Sequence, residues 1–221
     1  GRRMFAEAEE LLVKAWTSDD VHHEGEFWNL SFPTLRPRPY QKPHPPLLRA
    51  CLSEESVSAM ASIGRPVLIG IQTLDNLRSR LLVYRNTMQA AGFEEETVEK
   101  ALDQTWAQRG LYVADSSEEA LEVAADALRR YREHLLAARV NYNPGGVPPR
   151  PPGQPPAAGE LVEHAFLAGT PKRVAEQVAE LRDAGVRNLL LNVNVGQIPH
   201  QQVERSMRLF GEKVLPYFRD E

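Results

Sequence analysis

The sequence has a single cysteine, Cys51, so it holds no internal disulfide and suits a reducing compartment. It lacks any apolar run of the roughly 20 residues that span a bilayer. It also lacks a large excess of either charge. Its 26 Lys and Arg against 30 Asp and Glu leave a net −4, which gives no electrostatic reason for a nucleic-acid or anionic-membrane partner. Metal-ligand spacing is missing too. The neighbouring pair His22-His23 would point to opposite faces of a strand, so both cannot easily ligate one ion.

What is present is ordinary globular composition, 42% hydrophobic and 25% charged, in a chain long enough to bury a real core. Gly1-Arg2-Arg3-Met4-Phe5 runs straight into helical periodicity without a signal-peptide pattern. The expectation is a piece of a longer, cytoplasmic protein.

Phe5, Ala8, Leu12 and Ala15 predict a helix over 3–16, and Gly25 centres a candidate hairpin. Six prolines in 33–46 exclude a helix or central strand there. Short apolar runs then alternate with amphipathic stretches. Strands are predicted at 47–52, 66–71, 111–114 and within 186–195. Helices are predicted at 54–63, 74–91, 94–106, from Ser116 or Ser117 onward, from Thr170-Pro171 and from Pro199. The predicted buried stripes are Leu121, Ala124, Leu128, Tyr131 and Leu135 on one helix, and Val203, Met207, Phe210, Val214 and Phe218 on the last. Residues 143–159 are rich in Pro and Gly and read as a mobile loop. Repeated βα units imply a parallel sheet, either open or part of an eight-stranded barrel.

The centre of this organisation is Pro45-Pro46-Leu47-Leu48-Arg49-Ala50-Cys51-Leu52-Ser53-Glu54-Glu55-Ser56. A strand turns there directly into a helix, with Ser53 at the N-cap position. The free N–H groups and two hydroxyls suit an anion; the plainer reading of Ser53 and Ser56 is a helix cap. Cys51 reads more simply as a small buried hydrophobe than as a reactive thiol. Phe27 and Trp28 suit a substrate pocket and a structural cover equally.

Three blocks resemble the bacterial luciferase-like, flavin-dependent monooxygenases. One runs from Arg3-Met4-Phe5-Ala6-Glu7 through Glu24-Gly25-Glu26-Phe27-Trp28 to Gln41-Lys42-Pro43-His44-Pro45-Pro46. Another is Ser53-Glu54-Glu55-Ser56, and the third runs from Gly169-Thr170-Pro171 to Leu189-Leu190-Leu191-Asn192. The resemblance implies an α/β fold of the (β/α)8 TIM-barrel type. This chain would supply about its C-terminal half as a single domain: four βα units after a helix and a hairpin. It implies an oxidoreductase using reduced FMN and O2 on a small organic substrate, with a flavin reductase supplying the cofactor and a homodimer in the full-length protein. Coenzyme F420 is the alternative cofactor, and a non-catalytic flavin-binding or assembly fragment is the alternative role. Ser53 and Ser56 would contact the flavin phosphate, Cys51 and Leu52 would line the cofactor, and Gly70 and Ile71 would approach its ring. The catalytic residues and the basic phosphate partner would lie upstream of Gly1.

Overall fold

The computed structural model describes residues 1–143, 145 and 156–219. The predicted loop 143–159 therefore lies mostly outside the described residues. The chain divides into two compact units, Gly1–Leu47 and Leu48–Glu221.

In the first unit, helix α1 (Arg2–Thr17) precedes an antiparallel hairpin of β1 (Asp20–Glu24) and β2 (Asn29–Pro33). The hairpin turn is held by Glu7. Its carboxylate accepts from the backbone N–H groups of Phe27 and Trp28, at 3.0 and 2.9 Å, and lies 3.2 Å from His23 Nε2. Burial raises the Glu7 pKa, but the bonds from Trp28, His23 and Phe27 outweigh it and hold the carboxyl below its usual range. A Cβ at Gly25 would lie 2.0 Å from Glu7 Oε1, so a larger residue there would displace the Glu7 carboxylate from the turn. The two histidines point to opposite sides, as alternation requires: His23 is buried against Glu7, and His22 meets Ser31 Oγ at 2.8 Å.

The second unit is a parallel five-stranded sheet with helices. In chain order it contains β3 (Arg49–Cys51), α2 (Glu54–Ala61), β4 (Val67–Ile69), α3 (Leu74–Ala90), α4 (Glu95–Asp103) and β5 (Trp106–Val113). There follow α5 (Ser117–Tyr142), α6 (Val162–Ala165), β6 (Phe166–Gly169), α7 (Pro171–Asp183), β7 (Asn188–Asn192) and α8 (His200–Lys213). The sheet order is β3-β4-β5-β6, and β7 also pairs with β5. The described strands form an open sheet and close no barrel.

Register separates the two faces. Cys51, Ile69 and Ala107 stand side by side and are buried in one core with Val57 and Met60 of α2, Leu77 and Tyr84 of α3, and Leu181 of α7. The neighbouring row, Ala50, Leu68, Trp106 and Asn188, is only partly covered.

Four expectations need correction. The third strand is the longest in the sheet, not the shortest: it starts at Trp106, where a helix was expected to end. Gln108, Arg109 and Gly110 break its apolar pattern, yet the strand forms because it pairs with three others. Strand β6 was not expected at all, since four residues with two small ones carry no periodicity. On α5, Leu121 and Tyr131 are exposed, and the alanines Ala120, Ala124 and Ala127 form the buried seam with Leu128. On α8, Met207 is exposed and Ser206 is buried; the Ser206 hydroxyl accepts from the Val113 N–H at 2.8 Å.

An ion-pair network ties α4 to its neighbours. Glu99 binds Arg85 of α3 and Arg187 before β7, and Arg187 also reaches Asp103 at 2.6 Å. The Arg187 and Arg85 hydrogen bonds lower the Glu99 pKa from 4.5 to about 2. A depressed carboxylate stabilises the fold above its unfolded pKa and loses that contribution as pH falls through the folded value. Glu99→Gln should therefore flatten the loss of stability between pH 4.5 and about 2, read as urea midpoints against pH. An unchanged acid limb would remove Glu99 from the network's pH response.

Candidate functional site

The site is built where β3 and β4 end. Beyond Cys51 the chain leaves the sheet and Ser53 caps α2. Ser53 Oγ accepts from the Ser56 N–H at 3.2 Å and lies 3.2 Å from Ser56 Oγ. The Ser56 hydroxyl donates to Ser53 O at 2.7 Å. The first-turn N–H groups of any helix have no carbonyl four residues back, so they and these hydroxyls are the donors an anion would meet here.

Two carboxylates, Glu54 and Glu55, occupy the same first turn. They complement the helix dipole but oppose a second anion. Arg80 of α3 offsets one of them, with Nη1 3.8 Å from Glu54 Oε2. The Nε and Nη1 atoms of Arg80 are buried without a hydrogen-bond partner. No motif marks Arg80, because only the packing of α2 on α3 places it beside Glu54.

The β4 side is a tight turn. The Gly70 N–H donates to Cys51 O at 3.0 Å, joining the two loops. A Cβ at Gly70 would lie 2.3 Å from Leu52 Cδ2, so glycine lets Leu52 cover the turn while 70% of Leu52 stays exposed. Ile71 packs against the second core cluster. Gln72 Nε2 donates to Leu52 O at 3.1 Å, and Gln72 O accepts from Arg109 Nη2 at 2.9 Å. The structure therefore brings Leu52, Ser53, Gly70 and Ile71 together at one edge of the sheet. The Cys51 thiol is buried in the helix-covered core, so at this edge Cys51 offers its backbone. Gln72 and Arg109 were not singled out in the sequence. A lone Gln in a loop has no signature, and a lone Arg between Gln108 and Gly110 carries no motif.

Burial lowers the Arg109 pKa from 12.5 to about 10, so it stays cationic at neutral pH. Among the described residues, no group of three or more metal-ligating side chains occurs.

The sequence profile of the luciferase-like monooxygenases matches residues 1–188. The chain belongs to that family. It is 23% identical over 219 residues to the FMNH2-dependent dimethylsulfone monooxygenase of Pseudomonas putida, covering 95% of this chain and 56% of that protein. The structure of monooxygenase RslO1 from Streptomyces bottropensis is 27% identical, with a TM-score of 0.72 over 98% of this chain and 61% of that one. The coenzyme F420-dependent tetrahydromethanopterin reductase of Methanopyrus kandleri shares the fold at 17% identity, with a TM-score of 0.65 over 98% and 63% of the two chains. The chain thus spans less than two thirds of the length of each of these proteins. No helix of the described residues is long and apolar enough to cross a membrane.

Proposed function

We propose that this chain is part of a flavin-dependent monooxygenase that oxygenates a small organic substrate with reduced FMN and O2. The carrying observation is the Ser53–Ser56 helix start, whose first-turn Glu54 is offset by Arg80, a cation with two buried nitrogens that lack hydrogen-bond partners among the described residues. The free N–H groups and hydroxyls of that helix start suit the phosphate of FMN, and Leu52, exposed over the Gly70 turn, offers an apolar surface to a flat ring. Bound FMN would supply the redox and oxygen chemistry. The chain's own residues bind and orient. Ser53, Ser56 and the α2 N-terminus hold the phosphate, Arg80 offsets Glu54, and Leu52, Gly70 and Ile71 with the Cys51 backbone line the cofactor. Residues outside this chain complete catalysis, a flavin reductase supplies reduced FMN in the cytoplasm, and the whole protein is a homodimer.

Coenzyme F420 is a second reading, supported by the reductase that shares the fold. A third is a fragment that binds flavin without catalysis. Fluorescence titration separates them. FMN should bind at least about tenfold more tightly than riboflavin, since the phosphate supplies charge-assisted hydrogen bonds worth about 1.5–3 kcal/mol. Equal affinity for the two would overturn the phosphate site, and tighter binding of F420 than of FMN would move the protein to the second reading.

A further inference from the structure

Arg109 is the buried cation that the proposed site does not use. It is 4% exposed. Its guanidinium donates to backbone carbonyls, Gln108 O at 2.7 Å and Gln72 O at 2.9 Å, and no ion pair to a carboxylate is found for it among the described residues. Buried guanidinium groups are normally paired with a carboxylate, because removing the charge from water is costly. Strand alternation puts Arg109 on the side of Ala107 and Leu111, the helix-covered side, beneath the turn that follows β4. Its charge therefore stands behind Gly70–Gln72, not in solvent.

A chain of hydrogen bonds runs outward from it. Arg109 holds the carbonyl of Gln72, the Gln72 side chain holds the carbonyl of Leu52, and Cys51 O holds the N–H of Gly70. The N-terminus of the 17-residue helix α3, capped by Thr73, starts at the same turn and adds its positive dipole end. Two positive features thus converge behind one backbone turn; Asp75 in the first turn of α3 pairs with Arg78, and among the described residues no carboxylate pairs with Arg109.

We infer that Arg109 is a positioning residue that fixes the Gly70–Gln72 turn and, through its uncompensated charge, favours an anionic flavin ring over a neutral one. This rests on the flavin reading above. Reduction of a flavin by two electrons with uptake of one proton leaves the ring with a negative charge, whereas the oxidised ring is neutral. A cation a few ångströms behind the turn therefore binds the reduced form preferentially and raises the potential of the bound cofactor.

The test uses the full chain, Arg109→Met, which keeps much of the side chain's length, and Arg109→Lys, which keeps the charge. Hydrogen exchange is read at Gly70–Thr73 without cofactor. FMN affinity is then measured in air and under dithionite, so that their ratio gives the potential. Arg109→Met should speed exchange at the turn and weaken reduced FMN about tenfold relative to oxidised FMN, a drop of about 30 mV. Arg109→Lys should restore most of that drop while leaving exchange fast. Unchanged exchange in Arg109→Met overturns the positioning role. FMN bound at an unchanged potential overturns the electrostatic role and leaves the flavin reading standing. A wild-type chain that binds neither form of FMN overturns the flavin reading and this inference with it.

Discussion

Gly196→Ala should cost about 2–5 kcal/mol of stability, the sum of left-handed backbone strain of about 1–2 and overpacking of about 1–3. Gly196 has φ +62°, a region that other residues enter only with strain. It lies in the short turn Val195–Gln197 after β7. A Cβ there would sit 1.9 Å from the backbone oxygen of Ala127 and 2.5 Å from its carbonyl carbon. Neither atom can rotate away, because both belong to the α5 backbone. The turn would have to lift off α5 and loosen the second core, where Ile198 packs beside Ala124 and Ala127. Gly211, within α8, provides the control: nothing lies within 4 Å of its Cβ position. Alanine there should stabilise by about 0.5–1 kcal/mol through helix propensity. Urea unfolding of both variants checks the contrast. If Gly196→Ala unfolds at the wild-type midpoint, the close approach of the turn to α5 is not a constraint on the fold.

The Gly196 contact also shows what the sequence could and could not reveal. Element order was legible because helix caps and apolar periodicity are local. Ser53, Ser116 and Thr170 each cap a helix with the side-chain oxygen, as their positions before amphipathic stretches predict, and Thr73 does the same for α3. The buried seam of α5 was legible only in part: Ala124 and Leu128 were expected there, and Ala120 and Ala127 were not. Alanine carries little hydrophobic signal, and the seam takes its importance from the close approach of β6 and of the turn at Gly196. Strand β5 was misjudged for a related reason. Its pairing with β4, β6 and β7 is non-local and overrides a run that Arg109 makes look polar.

The site divides in the same way. Ser53, Ser56, Gly70 and Ile71 could be named because a strand running into a capped helix has a one-dimensional signature. Arg80, Gln72 and Arg109 could not, since each meets the site through a partner 20 or more residues away: Glu54, Leu52 and the Gln72 carbonyl. Folding moved Cys51 in the other direction. Its place in the strand was read correctly, but register turns its thiol into the helix-covered core.

Ser56→Asp should separate the two roles of the Ser53–Ser56 turn, because it acts on them with opposite sign. Position 56 is the third residue of α2, after N-cap Ser53. A carboxylate there complements the helix dipole, worth about 0.3–1 kcal/mol, and leaves the Ser53 cap in place. Stability should stay level or rise slightly. Phosphate binding should fail. A carboxylate about 4 Å from a phosphate charge repels it by about 4 kcal/mol at an effective dielectric near 20. Exposure of the turn to solvent screens roughly half of that, leaving a loss in FMN affinity of about 30-fold. Riboflavin, which has no phosphate, should bind Ser56→Asp as it binds the wild type. If Ser56→Asp is stabilised and still binds FMN at wild-type affinity, the turn is a helix cap alone, and the two buried nitrogens of Arg80 belong to its packing against Glu54.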